Sequence, residues 1–133
     1  MKIREINTHL NQLATLADKK LPVALNMAIA ENILVLKRKS ETTQETIRKL
    51  CEQYSERGED GNVLTTKSAD GEKYKLIKDK IPEFNSEYND LMELEANIEI
   101  SKVHKGLIEK TDQDRYDPLT PGDLVCLDFM IEK

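Results

Sequence analysis

Residues 21–54, LPVALNMAIAENILVLKRKSETTQETIRKLCEQY, decide the fold of this chain because they predict one long amphipathic helix. Apolar residues recur on one face of it, with Ser40 and Thr43 keeping the register: Leu25, Ile29, Ile33, Leu36, Ile47, Leu50 and Tyr54. From Leu36 onward the steps alternate between four and three residues, which is the spacing of a narrow apolar seam that faces one partner helix.

The two halves of this helix differ in character. Residues 23–36 are apolar almost all round, which predicts burial against several neighbours. Residues 37–56 are polar on most faces and keep only the seam, so we expect them to project from the core with a single partner. Pro22 is suited to the first turn and Gly58 to the end of the helix.

The partner helix is predicted after Pro82. Phe84, Tyr88, Leu91 and the methylene part of Glu95 step by four, three and four residues, which matches the distal seam and predicts an antiparallel pair. Between the two helices stand the turn signals Asp60-Gly61-Asn62 and Asp70-Gly71 and the β-prone runs Val63-Leu64-Thr65-Thr66 and Tyr74-Lys75-Leu76-Ile77. They favour a β-hairpin at the tip of the pair, with a mobile loop as the alternative.

The ends of the chain predict a small base. Asn7 offers an N-cap oxygen for a helix over residues 8–17, and Thr120-Pro121-Gly122-Asp123 is a typical start for a final helix. Apolar and polar residues alternate over residues 97–103, which predicts a strand. Residues 1–6 are consistent either with a short strand that pairs with this segment or with a frayed first helical turn.

The predicted fold class is therefore mainly α (α+β): a long antiparallel helical hairpin with a β-hairpin at its tip and a small helical base with a minor sheet. We expect one domain over residues 1–133. Its base would comprise residues 1–36 and 96–133, and its projecting arm residues 37–95.

Composition bounds the environment and the partners. The net charge of −5 argues against a generic nucleic-acid binder, since phosphates would be repelled. Cys51 and Cys126 are far apart and lie on apolar helix faces, so we expect buried thiols in a reducing compartment. The first residues lack the apolar core of a secretion signal, and no apolar run approaches the roughly 18 residues that span a bilayer. The expected location is the cytoplasm.

Several groups of residues could form a chemical site, and each has a simpler interpretation. The basic run Lys37-Arg38-Lys39, with Arg48 and Lys49, is typical of a solvated face with internal ion pairs rather than a nucleic-acid site. Asp112, Asp114, Asp117 and Asp123 resemble a calcium loop only faintly, because Tyr116 and Asp117 occupy positions five and six. His9 and His104 have no acidic or nucleophilic neighbour in sequence and are predicted to be surface residues.

A magnesium site of the all-α nucleotide pyrophosphohydrolase type is an alternative. Glu87 and Asp90 form one suitable step, and Glu41, Glu45, Glu52 and Glu56 stand on the predicted partner helix. Those glutamates alternate with basic residues, as an ordinary exposed helix face does. The sequence thus assigns no catalytic, cofactor-binding or metal-binding residue.

The chain resembles a family of small, functionally uncharacterised proteins encoded by tailed bacteriophages and prophages. The resembling segments are Lys20-Leu21-Pro22-Val23, Ala30-Glu31-Asn32, Tyr54, Asp60-Gly61-Asn62, Phe84-Asn85-Ser86-Glu87 and residues 119–132 with Phe129-Met130-Ile131. The resemblance implies a phage or prophage origin, hence the cytoplasm of a bacterial host or the virion. It implies no activity and no catalytic residues.

The leading functional hypothesis is a non-enzymatic protein that acts by protein–protein contact or self-association, in virion assembly or by engaging a host protein. The alternatives are an inhibitor of a host defence or nucleic-acid enzyme and the pyrophosphohydrolase. No small-molecule substrate and no membrane are expected as partners. The thin distal seam motivates the contact hypothesis. Its candidate residues are Lys37, Arg38, Ser40, Thr43, Ile47, Leu50, Tyr54 and Tyr88.

Overall fold

The structure is a computed structural model that describes residues 1–69 and 71–132. Its helices and strands follow the chain as α1 (Ile6–Leu16), α2 (Val23–Gln53), β1 (Thr65–Ser68), β2 (Gly71–Tyr74), α3 (Ile81–Glu93), α4 (Lys105–Glu109) and α5 (Pro121–Leu127). Short 3-10 turns occupy Ile3–Glu5, Lys78–Lys80, Lys110–Asp112 and Asp128–Met130. Among the described residues, no helix is both long enough and apolar enough to cross a membrane.

Helix α2 is a single uninterrupted helix of 31 residues, which confirms the long helix predicted from its periodicity. It ends at Gln53 rather than near Gly58, and the reason is a competing set of backbone hydrogen bonds. The amide of Glu56 donates to the carbonyl of Lys75 (2.7 Å), and Ser55 forms an antiparallel bridge with Leu76. The chain after Tyr54 therefore joins a β-ladder instead of continuing the helix.

The β-hairpin predicted at the tip is present. Strands β1 and β2 pair antiparallel in a register that places Thr65 opposite Tyr74 and Ser68 opposite Gly71. Gly71 has a φ of +110°, a left-handed conformation that glycine adopts without the steric cost of a Cβ. Asp70, the other residue of the predicted turn, lies outside the described residues.

Helices α2 and α3 form the predicted antiparallel pair. Near the tip, the rings of Tyr54 and Phe84 meet edge to face with centroids 6.2 Å apart. Tyr88 stacks on Phe84 at 6.1 Å. At the opposite end of α3, the amide of Ile3 donates to the carbonyl of Leu94 (2.9 Å), which ties the pair to the beginning of the chain.

The buried apolar side chains all lie within residues 3–36 and 96–130. They are Ile3, Ile6, Leu13, Leu16, Leu21, Leu25, Ala28, Ile29, Leu36, Ala96, Val103, Leu127 and Met130. Within the described part of residues 37–95, only Ser40 and Ser55 are buried. We call residues 1–36 and 96–132 the base and residues 37–95 the arm. Apart from Ser40, the seam residues of the two arm helices are half-buried, so these helices are covered on one side only.

The strand predicted over residues 97–103 is wrong. The side chain of the buried Asn32 binds the backbone of Ser101 within this segment. It accepts a hydrogen bond from the amide (2.7 Å) and donates one to the carbonyl (3.0 Å), so these groups are not available to a strand. Asn97 also has a φ of +50°, which breaks an extended conformation at the start of the segment. Isolated bridges stand in place of a continuous minor sheet: Val103 pairs with Ile131 within the base, and Lys2 pairs with Glu95 at the end of the arm.

The start of α1 also differs from the prediction. The helix begins at Ile6, so Asn7 lies inside it and is not the N-cap. The carboxamide oxygen of Asn7 instead accepts a hydrogen bond from the Ser40 hydroxyl (2.6 Å). The start of α5 is as predicted. Thr120 Oγ1 accepts from the amide of Asp123 (3.1 Å), and a carboxylate oxygen of Asp123 accepts from the amide of Thr120 (3.0 Å).

Candidate functional site

The first half of α2 leaves large apolar side chains in solvent. Val23 is 83% exposed, Met27 is 63% exposed and Leu34 is 65% exposed, and the exposed Ala30 lies between the last two. These residues are four, three and four positions apart, so they form one row along the helix. We call Val23, Met27, Ala30 and Leu34 the α2 stripe.

The α2 stripe contradicts the prediction that residues 23–36 are buried against several neighbours. Leu25, Ile29 and Leu36 do face the core. The short α1 and the rest of the base cover only that side of α2, and the other side has no neighbour within the described chain. An all-round apolar pattern indicates what a helix could bury, and the number of packed neighbours decides what it does bury.

An apolar groove runs beside the α2 stripe. A cavity of about 540 Å³ lies between the end of α1 and α2, lined by Ala17, Asn26, Ile29, Ala30, Ile33 and Leu34. Ala30 and Leu34 belong to both the groove and the stripe, so a ridge of large side chains adjoins a concave apolar surface. Such a surface can accept the ridge of another helix.

This face carries little charge. Glu31 is the only charged residue in positions 23–34, and its carboxylate accepts a hydrogen bond from the Ser101 hydroxyl (2.8 Å). The basic run Lys37-Arg38-Lys39 begins one turn beyond Leu34. The stripe is thus an apolar patch with charges at its border, which is the usual arrangement of a protein interface.

A second concave surface lies where α1, α2 and α3 meet. It is a cavity of about 510 Å³, and its lining includes four of the contact residues predicted from the sequence, namely Ser40, Thr43, Ile47 and Tyr88. Ser40 is only 7% exposed, and its hydroxyl is bonded to Asn7 (2.6 Å). Ser40 therefore joins α2 to α1, while Thr43, Ile47 and Tyr88 are half-buried in the wall.

The other predicted contact residues lie elsewhere. Lys37 and Arg38 are exposed and do not line this cavity. Leu50 and Tyr54 are half-buried nearer the tip. Tyr54 lies against Phe84, and burial raises the pKa of its hydroxyl, with the charge of Glu87 adding to the effect. The structure thus divides the predicted surface among separate environments.

The charged face of α2 has the ion pairs predicted for it, whereas the two cysteines are less buried than predicted. Arg48 binds both Glu45 and Glu52, the latter at 2.5 Å, so the expected ion pairs of a solvated helix face are present. Cys51 and Cys126 are free thiols, although each is half-buried rather than buried. Burial raises the pKa of the Cys51 thiol, which lowers the fraction of reactive thiolate at neutral pH.

The acidic residues that resemble a calcium loop make separate local contacts. Asp117 accepts from the amide of Lys20 (2.6 Å), and Asp123 caps α5 and pairs with Lys19 (3.1 Å). In residues 1–69 and 71–132, no group of three or more histidine, cysteine, aspartate and glutamate side chains is placed to hold a metal ion.

The prediction that His9 lies at the surface is wrong. His9 is half-buried with its ring 4.4 Å from that of Phe129, and burial lowers its pKa.

Comparisons of the chain with protein-family models, with curated proteins and with solved structures find no match. The candidate site therefore depends on its own geometry. The α2 stripe could have been found in the sequence, since its four-three-four spacing forms a second seam on the same helix. What the sequence lacked was any sign of which of the two seams the base would cover.

Proposed function

We propose that this protein acts by protein–protein contact rather than by catalysis, and that the α2 stripe is its contact surface. The observation that carries the proposal is the exposure of Val23, Met27 and Leu34 in one row of the longest helix. Single exposed apolar residues are normal on a protein surface, whereas a contiguous apolar row with a polar border is typical of an interaction site.

The free energy available from the stripe favours a reversible contact. Burying one Val, Leu or Met side chain contributes roughly 1.5–3 kcal/mol, so the three large side chains contribute about 4.5–9 kcal/mol together. Association costs on the order of 4–15 kcal/mol in lost freedom of motion. The stripe alone is therefore marginal, and the adjoining groove and the charged border must add to it.

The biological setting of the proposal comes from the sequence resemblance to phage-encoded proteins. A contact protein of that origin would act in virion assembly or by engaging a host protein, and an inhibitor of a host defence or nucleic-acid enzyme would act through the same kind of surface. Each of these roles requires a complex that forms through the stripe and is lost when the stripe becomes charged.

The test compares a double variant of the stripe, Met27→Lys/Leu34→Lys, with a matched control that adds the same charge elsewhere on α2, Thr42→Lys/Gln53→Lys. Thr42 and Gln53 are both exposed and lie outside the stripe. Each protein is followed by immunodetection after size-exclusion chromatography of extracts from producing cells, and circular dichroism verifies that each is folded. The wild type and the control should elute in a complex larger than the 15.3 kDa chain, and the stripe variant should elute as a monomer.

Two results would contradict the proposal. One is a wild-type protein that elutes as a monomer in these extracts. The other is a complex that the stripe variant still enters as efficiently as the control does.

A further inference from the structure

We infer that the α2 stripe binds a second copy of this chain, with the two α2 helices antiparallel across a two-fold axis. This inference rests on the proposed function and names the partner of the same surface. It is argued from the shape of the face, the order of side chains along it and the charges at its two ends.

The shape of the face is self-complementary. The ridge formed by Val23, Met27 and Leu34 adjoins the groove of about 540 Å³ that contains Ala17 and Ile33. A two-fold axis makes each copy present the same patch to the other. The ridge of one copy can then enter the groove of its partner at the same time as the partner's ridge enters its own groove.

The order of side chains along the stripe also suits antiparallel pairing. When the axis passes between the middle residues, Met27 of one copy faces Ala30 of the other, and Val23 faces Leu34. Each layer thereby combines a larger side chain with a smaller one, which is how facing positions fill space without a void. In this register Glu31 faces Asn26, so no like charges oppose one another within the stripe.

The charges at the two ends of the α2 stripe favour one relative direction of the two α2 helices. The basic run Lys37-Arg38-Lys39 follows the stripe at one end. At the other end lie three carboxylates and two lysines. Asp18 and Lys20 are exposed, Asp117 accepts from the backbone amide of Lys20, and Asp123 is paired with Lys19.

Antiparallel docking brings the basic run of each copy to this end of its partner, where carboxylates outnumber lysines by one. Parallel docking would set the two basic runs side by side, where like charges repel one another. The antiparallel direction is therefore the favourable one.

The length of the stripe sets the expected strength. The helix rises about 16 Å from Val23 to Leu34, so the interface is small and belongs to the class that buries less than about 1,200 Å². Interfaces of this size are reversible, and we expect a dissociation constant on the order of micromolar.

The first experiment measures the mass of the purified full-length chain by sedimentation equilibrium over about 1 µM to 1 mM, a range chosen around the expected affinity. The wild type should shift from 15.3 kDa toward twice that mass as its concentration rises. Thr42→Lys/Gln53→Lys should do the same, and Met27→Lys/Leu34→Lys should remain monomeric while keeping its helical circular dichroism. A wild type that stays monomeric throughout, or a dimer that survives in the stripe variant, would overturn the inference.

The second experiment reads the direction of the helices by disulfide trapping. It uses a Cys51→Ser/Cys126→Ser background, because these residues are free thiols. Val23→Cys/Leu34→Cys should give a covalent dimer on mild oxidation, since the two introduced thiols face each other across the axis. Within one chain they are about 16 Å apart and cannot bond.

The single variants Val23→Cys and Leu34→Cys are the matched controls. Neither should be trapped as a dimer in the antiparallel arrangement. The introduced thiol of one copy is then about 16 Å along the helix from the same thiol of the other copy. Trapping of either single variant would instead show parallel helices and overturn the inference. Absence of trapping in the double variant would overturn it as well.

These outcomes separate the inference from the proposed function. In one case the purified protein is monomeric and gives no trapped dimer, yet in cell extracts the wild type enters a mixed complex that the stripe variant does not enter. This result would exclude a second copy as the partner and would support the contact function. A wild type that is monomeric in both settings removes both.

Discussion

The base and the arm share helix α2, yet the same apolar spacing has different consequences in each. Leu36, the last seam residue in the base, is completely buried, whereas Leu50 in the arm is half-buried. In the base, α2 is covered by α1 and the chain ends. In the arm its main helical neighbour is α3, apart from the bond of Ser40 to Asn7 of α1. The comparison teaches that spacing selects the face a helix presents to its neighbours, and the number of neighbours sets how much of that face leaves water.

The two regions should also differ in local stability. The base has a contiguous apolar cluster, while the arm depends on half-buried aromatic contacts and on exposed ion pairs such as Lys75 with Glu56 (3.1 Å). Exposed ion pairs contribute roughly 0–1 kcal/mol each. We therefore expect the arm to open at a lower free energy than the base, as regions with few buried apolar contacts do.

The largest effect should come from Leu36→Ala, with Leu50→Ala as its matched control on the same helix. Truncating the buried Leu36 should lower the free energy of unfolding by roughly 2–5 kcal/mol, because it removes buried surface and leaves a cavity. Leu50→Ala should cost about 1 kcal/mol, since its site is already half open to water. Urea denaturation monitored by circular dichroism measures both. Equal losses would break the distinction between base and arm.

Asn32→Ala should rank second. It removes both hydrogen bonds to the backbone of Ser101 inside the base, and an unsatisfied buried group costs roughly 1–3 kcal/mol. Ser40→Ala is the comparison at the start of the arm, where one side-chain bond to Asn7 is lost and about 1 kcal/mol is expected. The same urea titrations rank the two variants. A cost for Asn32→Ala no larger than that for Ser40→Ala would contradict the assignment.

Phe84→Ala should sharpen the comparison within the arm. The variant loses the contacts of Phe84 with Tyr54 and Tyr88, and aromatic pairs contribute roughly 0.5–1.5 kcal/mol beyond their buried area. Hydrogen exchange should speed up in α3 and in the second half of α2 while α1 keeps its protection. The exposed Asn85→Ala in the same helix is the control and should leave all three unchanged. Equal acceleration in α1 would mean that arm and base open together.

The smallest effect concerns Glu93, which joins the two regions. Its carboxylate binds Lys2 and Arg4, each at 2.6 Å, and the hydrogen bond from Lys2 is the main cause of its lowered pKa. A carboxyl whose pKa is lower in the folded state stabilises the fold above its unfolded pKa, near 4.3, and loses that contribution as the pH falls through the folded pKa.

An NMR titration of the Glu93 side chain should therefore give a pKa below the ordinary glutamate value. In Glu93→Gln, stability should depend less steeply on pH in the acidic range than in the wild type. A Glu93 pKa at or above the ordinary value would show that the contact with the base contributes nothing in solution.

Much of the fold was predictable because it depends on local patterns. Apolar spacing identified α2 and its pairing with α3, turn residues identified the hairpin, and the Thr120–Asp123 pair identified the start of α5. The predicted contact surface fared differently, since the structure places Ser40 in a buried bond and separates Lys37 and Arg38 from Tyr88. Periodicity cannot show which exposed face remains uncovered, because that depends on segments distant in sequence.

The sequence by itself determined that the main helices form and which of their residues share a face, since helix geometry repeats with the chain. Only the tertiary structure decided that the segment around Ser101 is held by Asn32 rather than by a strand, and that the row from Val23 to Leu34 faces solvent. Both outcomes depend on contacts between residues far apart in the chain. Hydrogen-bond partners and burial at such contacts are properties of the packed molecule, and no local pattern encodes them.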